Sequence, residues 1–269
     1  MKIAIFTKRP FVRFVLLSNL IFWLFLASIG FGMMLGLPES ILYGMQIVAA
    51  WSSTFAFLLL FKKNVPGDKI KDYVKRQFEP RIKISIIIIV TIIQILIFLI
   101  AKGFSGAKLN LALSLPGMGM LILTFFDLLA RGSLGEELGW RGYALNELQK
   151  KMSSIKAALI IGVLWGFWHT PLWFFSGYVG LELVKYSVLF MIAVLGISVI
   201  ITVFYNLNHN LIVPIIIHQS FNFLLALNQG DLLDILVYTA TAYGLFALVL
   251  VAVNPKQALY KVRRSIETA

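Results

Sequence analysis

Apolar residues fill eight stretches of this chain, and polar residues collect between them. The stretches run approximately Phe14–Leu37, Ile41–Phe61, Ile84–Ala101, Leu111–Ala130, Ala157–Phe175, Leu183–Tyr205, Leu211–Asn228 and Leu232–Val253. Each is close to the ~20 residues that carry a helix across ~30 Å of hydrocarbon. Helix is the expected form, because a backbone in lipid must satisfy its polar groups within the segment. The period-2 alternation of a membrane strand is absent. The pattern predicts an all-α, polytopic membrane helix bundle of about eight transmembrane helices. The fourth stretch is the least regular, since it contains Pro116 and several glycines. Between the second and third, Asn64–Pro80 reads as a polar connection with room for one short helix.

Composition agrees with this reading. Of 269 residues, 59% are hydrophobic and only 13% charged, about half the charged share of a soluble globular chain. Mean hydropathy is +0.88. A disordered chain, a collagen-like chain and an ordinary cytosolic enzyme are excluded. With no cysteine, a disulfide framework, a thiolate-held zinc and a thiol nucleophile are excluded as well.

The formal charge of +12 would suggest a nucleic-acid partner on a soluble protein. Here the placement of the charge decides. With eight spans, 21 of the 24 basic residues fall on one side, and only Lys102, Lys108 and Lys185 on the other. By the positive-inside rule both termini are expected in the cytoplasm, N-in and C-in. The basic excess is then an orientation signal, with the bilayer and not nucleic acid as partner. The first apolar run is too long for a cleaved signal and reads as a retained span. One integral-membrane domain is expected over 1–269. Residues 1–110 hold the first spans and a basic loop, 111–230 the core helices, and 231–269 the last span and a basic tail.

Ionisable residues within spans are costly and point to function. Three clusters stand out. In Gly135-Glu136-Glu137-Leu138-Gly139-Trp140-Arg141, Glu137 and Arg141 are four apart on a helix and can pair. Glu136 points about 100° away, free to take a proton. That division of roles suits general-base chemistry. A charged juncture at the membrane surface is the plain alternative.

The second cluster is Trp165-Gly166-Phe167-Trp168-His169-Thr170-Pro171. Trp165 precedes His169 by one turn, and Pro171 should end or bend the helix and free a carbonyl. A hydrogen-bonded packing histidine is the plain alternative. The third is His218-Gln219-Ser220-Phe221-Asn222, with His218 and Asn222 on one face. An interhelical polar clamp is the plain alternative there. Together the clusters could hold and activate one water. Glu136 would take its proton, His169 would orient it, and His218 with Asn222 would stabilise an oxyanion.

At these residues the chain resembles the CPBP family, the CAAX proteases and bacteriocin-processing proteins related to the Ras-converting prenyl endopeptidase. The family pattern is Glu-Glu-x-x-x-Arg, then Phe-x-x-x-His, then His-x-x-x-Asn or Asp. Residues 136–141, 165–169 and 218–222 follow it in order, except that Trp165 stands where Phe is usual. The resemblance implies an intramembrane endopeptidase that cuts a membrane-associated peptide or protein. It implies Glu136, His169, His218 and Asn222 as catalytic residues, with Glu137, Arg141 and Trp165 in support. A metal-free glutamate mechanism is favoured, since no His-Glu-x-x-His pair is present. Zinc is possible, held by Glu136, His169 and His218. The competing class is a noncatalytic scaffold or bacteriocin-immunity-type protein that uses the same cavity for binding. An integral protein of a bacterial plasma membrane is expected; substrate, prenylation and oligomeric state stay open.

A difficulty of depth accompanies this reading. His169 lies far along its span, whereas Glu136 looks close to the cytoplasmic surface. For the groups to meet, either the fourth helix must run deeper than its hydropathy indicates, or the others must begin in the cytosol; Gly132 and Gly135 allow a break in the fourth. Among other residues, Asp127 is expected to pair with Arg131, and His209 to lie in a solvated turn. Trp168, Trp173, Phe174, Phe175 and Tyr178 read as an interfacial aromatic belt.

Overall fold

The computed structural model describes residues 10–106, 108–109 and 115–260. The basic residues Lys2, Lys8, Arg9, Lys261, Arg263 and Arg264, and the start of the fourth apolar stretch, lie outside the described residues. Over most of its described length, each of the eight apolar stretches is helical. α1 (Pro10–Met34), α5 (Ile84–Ser105), α11 (Gly180–Asn208), α13 (Leu232–Val253) and the run Gly117–Gln149 are each long and apolar enough to cross a membrane. α2 (Glu39–Ala50) and α3 (Ser52–Asn64) form a further candidate pair, bent by 49°. That makes five candidate spans among the described residues, or six with the pair, where the pattern predicts about eight. The difference lies in α9 (Ser154–Trp168) and α12 (Ile212–Ala226), which are apolar but only 15 residues long.

The exterior is apolar. Leu59, Leu123, Phe126, Leu245 and Leu248 are among many large side chains left exposed, as suits a surface that meets lipid and not water. α11 is the central helix and packs against α9, α12 and α13.

Polar contacts gather the connections at the two ends of the bundle. In the expected connection lies α4 (Ile70–Phe78). The turn after α11 docks beside it, with Asn210 Nδ2 donating to the carbonyls of Phe78 and Pro80, both at 2.8 Å. Asn206 donates to Gln149 Oε1 at 2.7 Å and to the Ala258 carbonyl at 3.0 Å. His209 is exposed and closes α11 in a left-handed conformation, φ 58°. Elsewhere, β1 (Lys108–Leu109) pairs antiparallel with β2 (Asn228–Gln229). Asp231 then caps α13, accepting from the Leu233 and Asp234 amides at 2.8 and 3.2 Å, as N-cap carboxylates do.

One segment departs from regular helix. α6 (Leu115–Ala130) stops at Arg131-Gly132, and α7 (Ser133–Glu137) restarts. A π-helix follows over Leu138–Leu145, then α8 (Asn146–Gln149). This broken fourth helix carries the first motif, with Glu136, Glu137 and Arg141 buried in the protein.

Candidate active site

Glu136 and Glu137 are the last residues of α7, and both are buried, 4% and 0% exposed. Arg141 is wholly buried too, so it belongs to the interior and not to the basic membrane surface. A charged surface juncture is therefore excluded. After a break at Gly132, Ser133, Gly135, Glu136 and Glu137 are buried, as are residues 139–145.

The backbone around the two carboxylates is held by α3. Gly135 and Gly139, four apart, form one smooth face. A Cβ at Gly135 would lie 2.6 Å from the Trp51 ring, and one at Gly139 would lie 2.6 Å from the Ser53 backbone. Small residues at this spacing let helices approach closely in membranes. Because α3 is so near, its hydroxyls reach the motif. Thr54 Oγ1 donates to the Gly135 carbonyl at 2.7 Å, and Ser53 Oγ to the Glu136 carbonyl at 3.1 Å. These carbonyls stand just ahead of the π-helix, where the change of helical pitch disturbs the regular hydrogen-bond ladder. π-helical turns recur at functional sites.

The two glutamates have different partners. Glu137 Oε1 accepts from Arg141 Nη1 at 2.9 Å and lies 2.8 Å from His218 Nδ1. Glu136 makes neither contact. Its Oε2 accepts from the Trp165 indole Nε1 at 2.7 Å. The Trp165 ring also covers Arg141, whose guanidinium carbon is 4.1 Å from the ring centroid. It meets His218 edge-on at 4.9 Å and His169 at 5.6 Å. Within the Glu137–Arg141 pair, Glu137 Oε2, Arg141 Nε and Arg141 Nη2 stay buried without a hydrogen-bond partner.

His169 terminates α9. Its amide turns to the Gly166 carbonyl at 3.1 Å, so the Trp165 carbonyl accepts from the imidazole Nδ1 instead, at 2.7 Å. Pro171 has no N–H for the Phe167 carbonyl, and Thr170 Oγ1 takes that place at 2.6 Å. The helix end expected from proline thus fixes the ring. Its Nδ1 carries a proton and its Nε2 remains for another partner. Phe22, Trp168 and Phe190 enclose the ring.

Asn222 comes from α12 to the break in the fourth helix. A Cβ at Gly132 would sit 2.9 Å from Asn222 Nδ2 and 4.0 Å from Glu136 Oε1. Glycine at 132 leaves that space open. The seven residues expected from the motifs are therefore brought together: Glu136, Glu137, Arg141, Trp165, His169, His218 and Asn222.

Several residues were missed by sequence reasoning. Ser53 and Thr54 are described above. Gln219 Oε1 accepts from Ser133 Oγ at 3.0 Å, and its Nε2 donates to the Phe125 carbonyl at 2.8 Å, bridging the break. Signals existed: the hydroxyl run Ser52-Ser53-Thr54 inside an apolar stretch, and Gln219 inside the third motif. The belt assignment needs one correction. Trp168 is buried, stacks on Phe22 at 3.7 Å and donates to the Ser18 carbonyl at 3.2 Å, because its face of α9 packs on α1. Asp127 pairs with Arg131 as expected, and also accepts from Tyr43 at 2.6 Å.

Among the described residues, no group of three His, Cys, Asp or Glu side chains is arranged to hold a metal ion. The trio Glu136, His169 and His218 does not fit zinc in this arrangement, so no step below passes through a metal.

Residues 118–224 match the family described as Type II CAAX prenyl endopeptidase Rce1-like. The chain is also 39% identical over 98 residues to CAAX prenyl protease 2 of Methanococcus maripaludis, a match covering 35% of each protein. The chain thus spans about a third of the length of that curated relative. The family match contains all three motifs, so the core of this chain is similar to that family over residues 118–224.

Proposed function

We propose that this protein is an intramembrane endopeptidase of the CAAX type, hydrolysing a peptide bond in or near the bilayer by a metal-free glutamate mechanism. The observation that carries the proposal is the unequal state of two adjacent buried carboxylates. Glu137 is held by Arg141 and His218, while Glu136 has only a neutral indole donor. A charged-paired carboxylate serves structure; its neighbour keeps an oxygen for chemistry.

Glu136 Oε1 accepts a proton from a water as the water oxygen bonds to the scissile carbonyl carbon. The carbonyl π electrons move onto oxygen. His169, its Nδ1 engaged by the Trp165 carbonyl, accepts from the same water through Nε2 and orients it. His218 and Asn222 donate to the oxyanion. With Nδ1 directed at Glu137, His218 donates from Nε2 only when both ring nitrogens carry protons. Collapse of the intermediate breaks the C–N bond, and Glu136 returns its proton to the leaving nitrogen.

The relative's name, CAAX prenyl protease 2, supplies the substrate expectation, a prenylated peptide of the CAAX type. The test is cleavage of a fluorogenic prenyl-peptide by the purified protein in liposomes. Glu136→Ala and His169→Ala should each lose at least about a hundred-fold in kcat. If both cleave as well as the parent, the proposal is wrong.

A further inference from the structure

We infer that Trp165 is a positioning residue whose indole N–H selects which oxygen of Glu136 does the chemistry. The inference rests on the reading of Glu136 as the general base, and deepens it. A carboxylate has two oxygens, and a buried one free to rotate offers neither in a fixed place. The indole N–H, 2.7 Å from Oε2, ties down that oxygen. Oε1 is left beside Gly132, 4.0 Å from where a Cβ there would sit, and the Asn222 amide borders the same point at 2.9 Å. The donor is neutral and has one proton to give, so it holds the carboxylate without matching its charge.

The ring face of the same indole is as important as its N–H. Arg141 is wholly buried, and its Nε and Nη2 have no hydrogen-bond partner. A guanidinium with two spare donors would capture a neighbouring free carboxylate in a two-point pair. Trp165 instead lies over that guanidinium, 4.1 Å from its carbon. The aromatic face stabilises the cation, while the N–H engages Glu136. One side chain thus keeps Arg141 for Glu137 and Glu136 for the substrate. Phenylalanine, the usual residue of the resembled family at this point, supplies the ring but no N–H.

The experiment compares three forms of the full-length protein in liposomes with the prenyl-peptide reporter: Trp165→Phe, benzothienylalanine incorporated at 165, and Glu136→Ala. Benzothienylalanine keeps the shape of tryptophan and replaces N–H by sulfur, so it tests the proton without disturbing packing if phenylalanine fails to fold. Loss of a hydrogen bond to a charged group predicts about a ten-fold fall in kcat, with KM changed less than two-fold and the thermal midpoint held in the isostere. Wild-type kcat in the isostere overturns the inference. So does a loss confined to KM or to thermal stability. Cleavage by Glu136→Ala would overturn the reading of Glu136 itself. An inactive Glu136→Ala beside an unaffected isostere removes only the role given to Trp165.

Discussion

Gly132 shows how much a single hydrogen atom in place of a methyl group can decide. A Cβ there would press on Asn222 Nδ2 at 2.9 Å and on the Leu128 carbonyl at 3.0 Å. The amide is the movable neighbour, so Gly132→Ala should displace it from the reaction site. A fall in kcat between about ten- and a hundred-fold is expected from such misplacement, read in the reporter assay alongside the thermal midpoint. At this scale, local spacing revealed some contacts and hid others. The Glu137–Arg141 pair follows from positions four apart on a helix, and its 2.9 Å contact agrees. Trp165 beside His169 follows in the same way. The Trp165 bond to Glu136 spans 29 residues and that of His218 to Glu137 spans 81. No helical periodicity reaches across such separations, because they depend on how different helices pack.

Among the elements, the helix that carries the two glutamates depends most on a neighbour. Its π-helical turn follows carbonyls that accept hydroxyl protons from α3. Removing both donors in Ser53→Ala/Thr54→Ala should cost about 1 kcal/mol per hydrogen bond. The loss should appear as a lower midpoint in denaturant unfolding in detergent, together with reduced cleavage as the carboxylates shift. The end of α9 was legible, since Pro171 cannot continue a helix and His169 takes up a carbonyl left there. The π-turn was not. Its sequence, Leu138–Leu145, is compatible with ordinary α-helix, and the choice is made by contacts from outside the segment.

For the whole molecule, the apolar stretches were legible because lipid demands long runs of one kind of residue. The bend between α2 and α3 and the shortness of α9 and α12 were not, since apolar side chains continue past the ends of each helix. The charge split predicts that both termini and the α4 region face the cytoplasm. The absence of cysteine makes a clean test possible with single introduced thiols. Lys71 and Lys185 are both exposed. Lys71→Cys should react with a membrane-impermeant reagent only in inverted vesicles, and Lys185→Cys only in right-side-out vesicles. Labelling of both from one side would refute the topology.

His169 caps α9 and His218 lies within α12, two apolar helices of 15 residues each. Fifteen residues rise only ~22 Å, well short of the ~30 Å of an unperturbed hydrocarbon layer. A bilayer meeting helices this short would have to pinch inward or pull headgroups down to reach them, as happens when a helix is mismatched to its lipid. The histidines that need contact with water would then sit beneath a local dimple in the membrane. The energy for drawing solvent toward an otherwise oily interior would come from the lipids themselves.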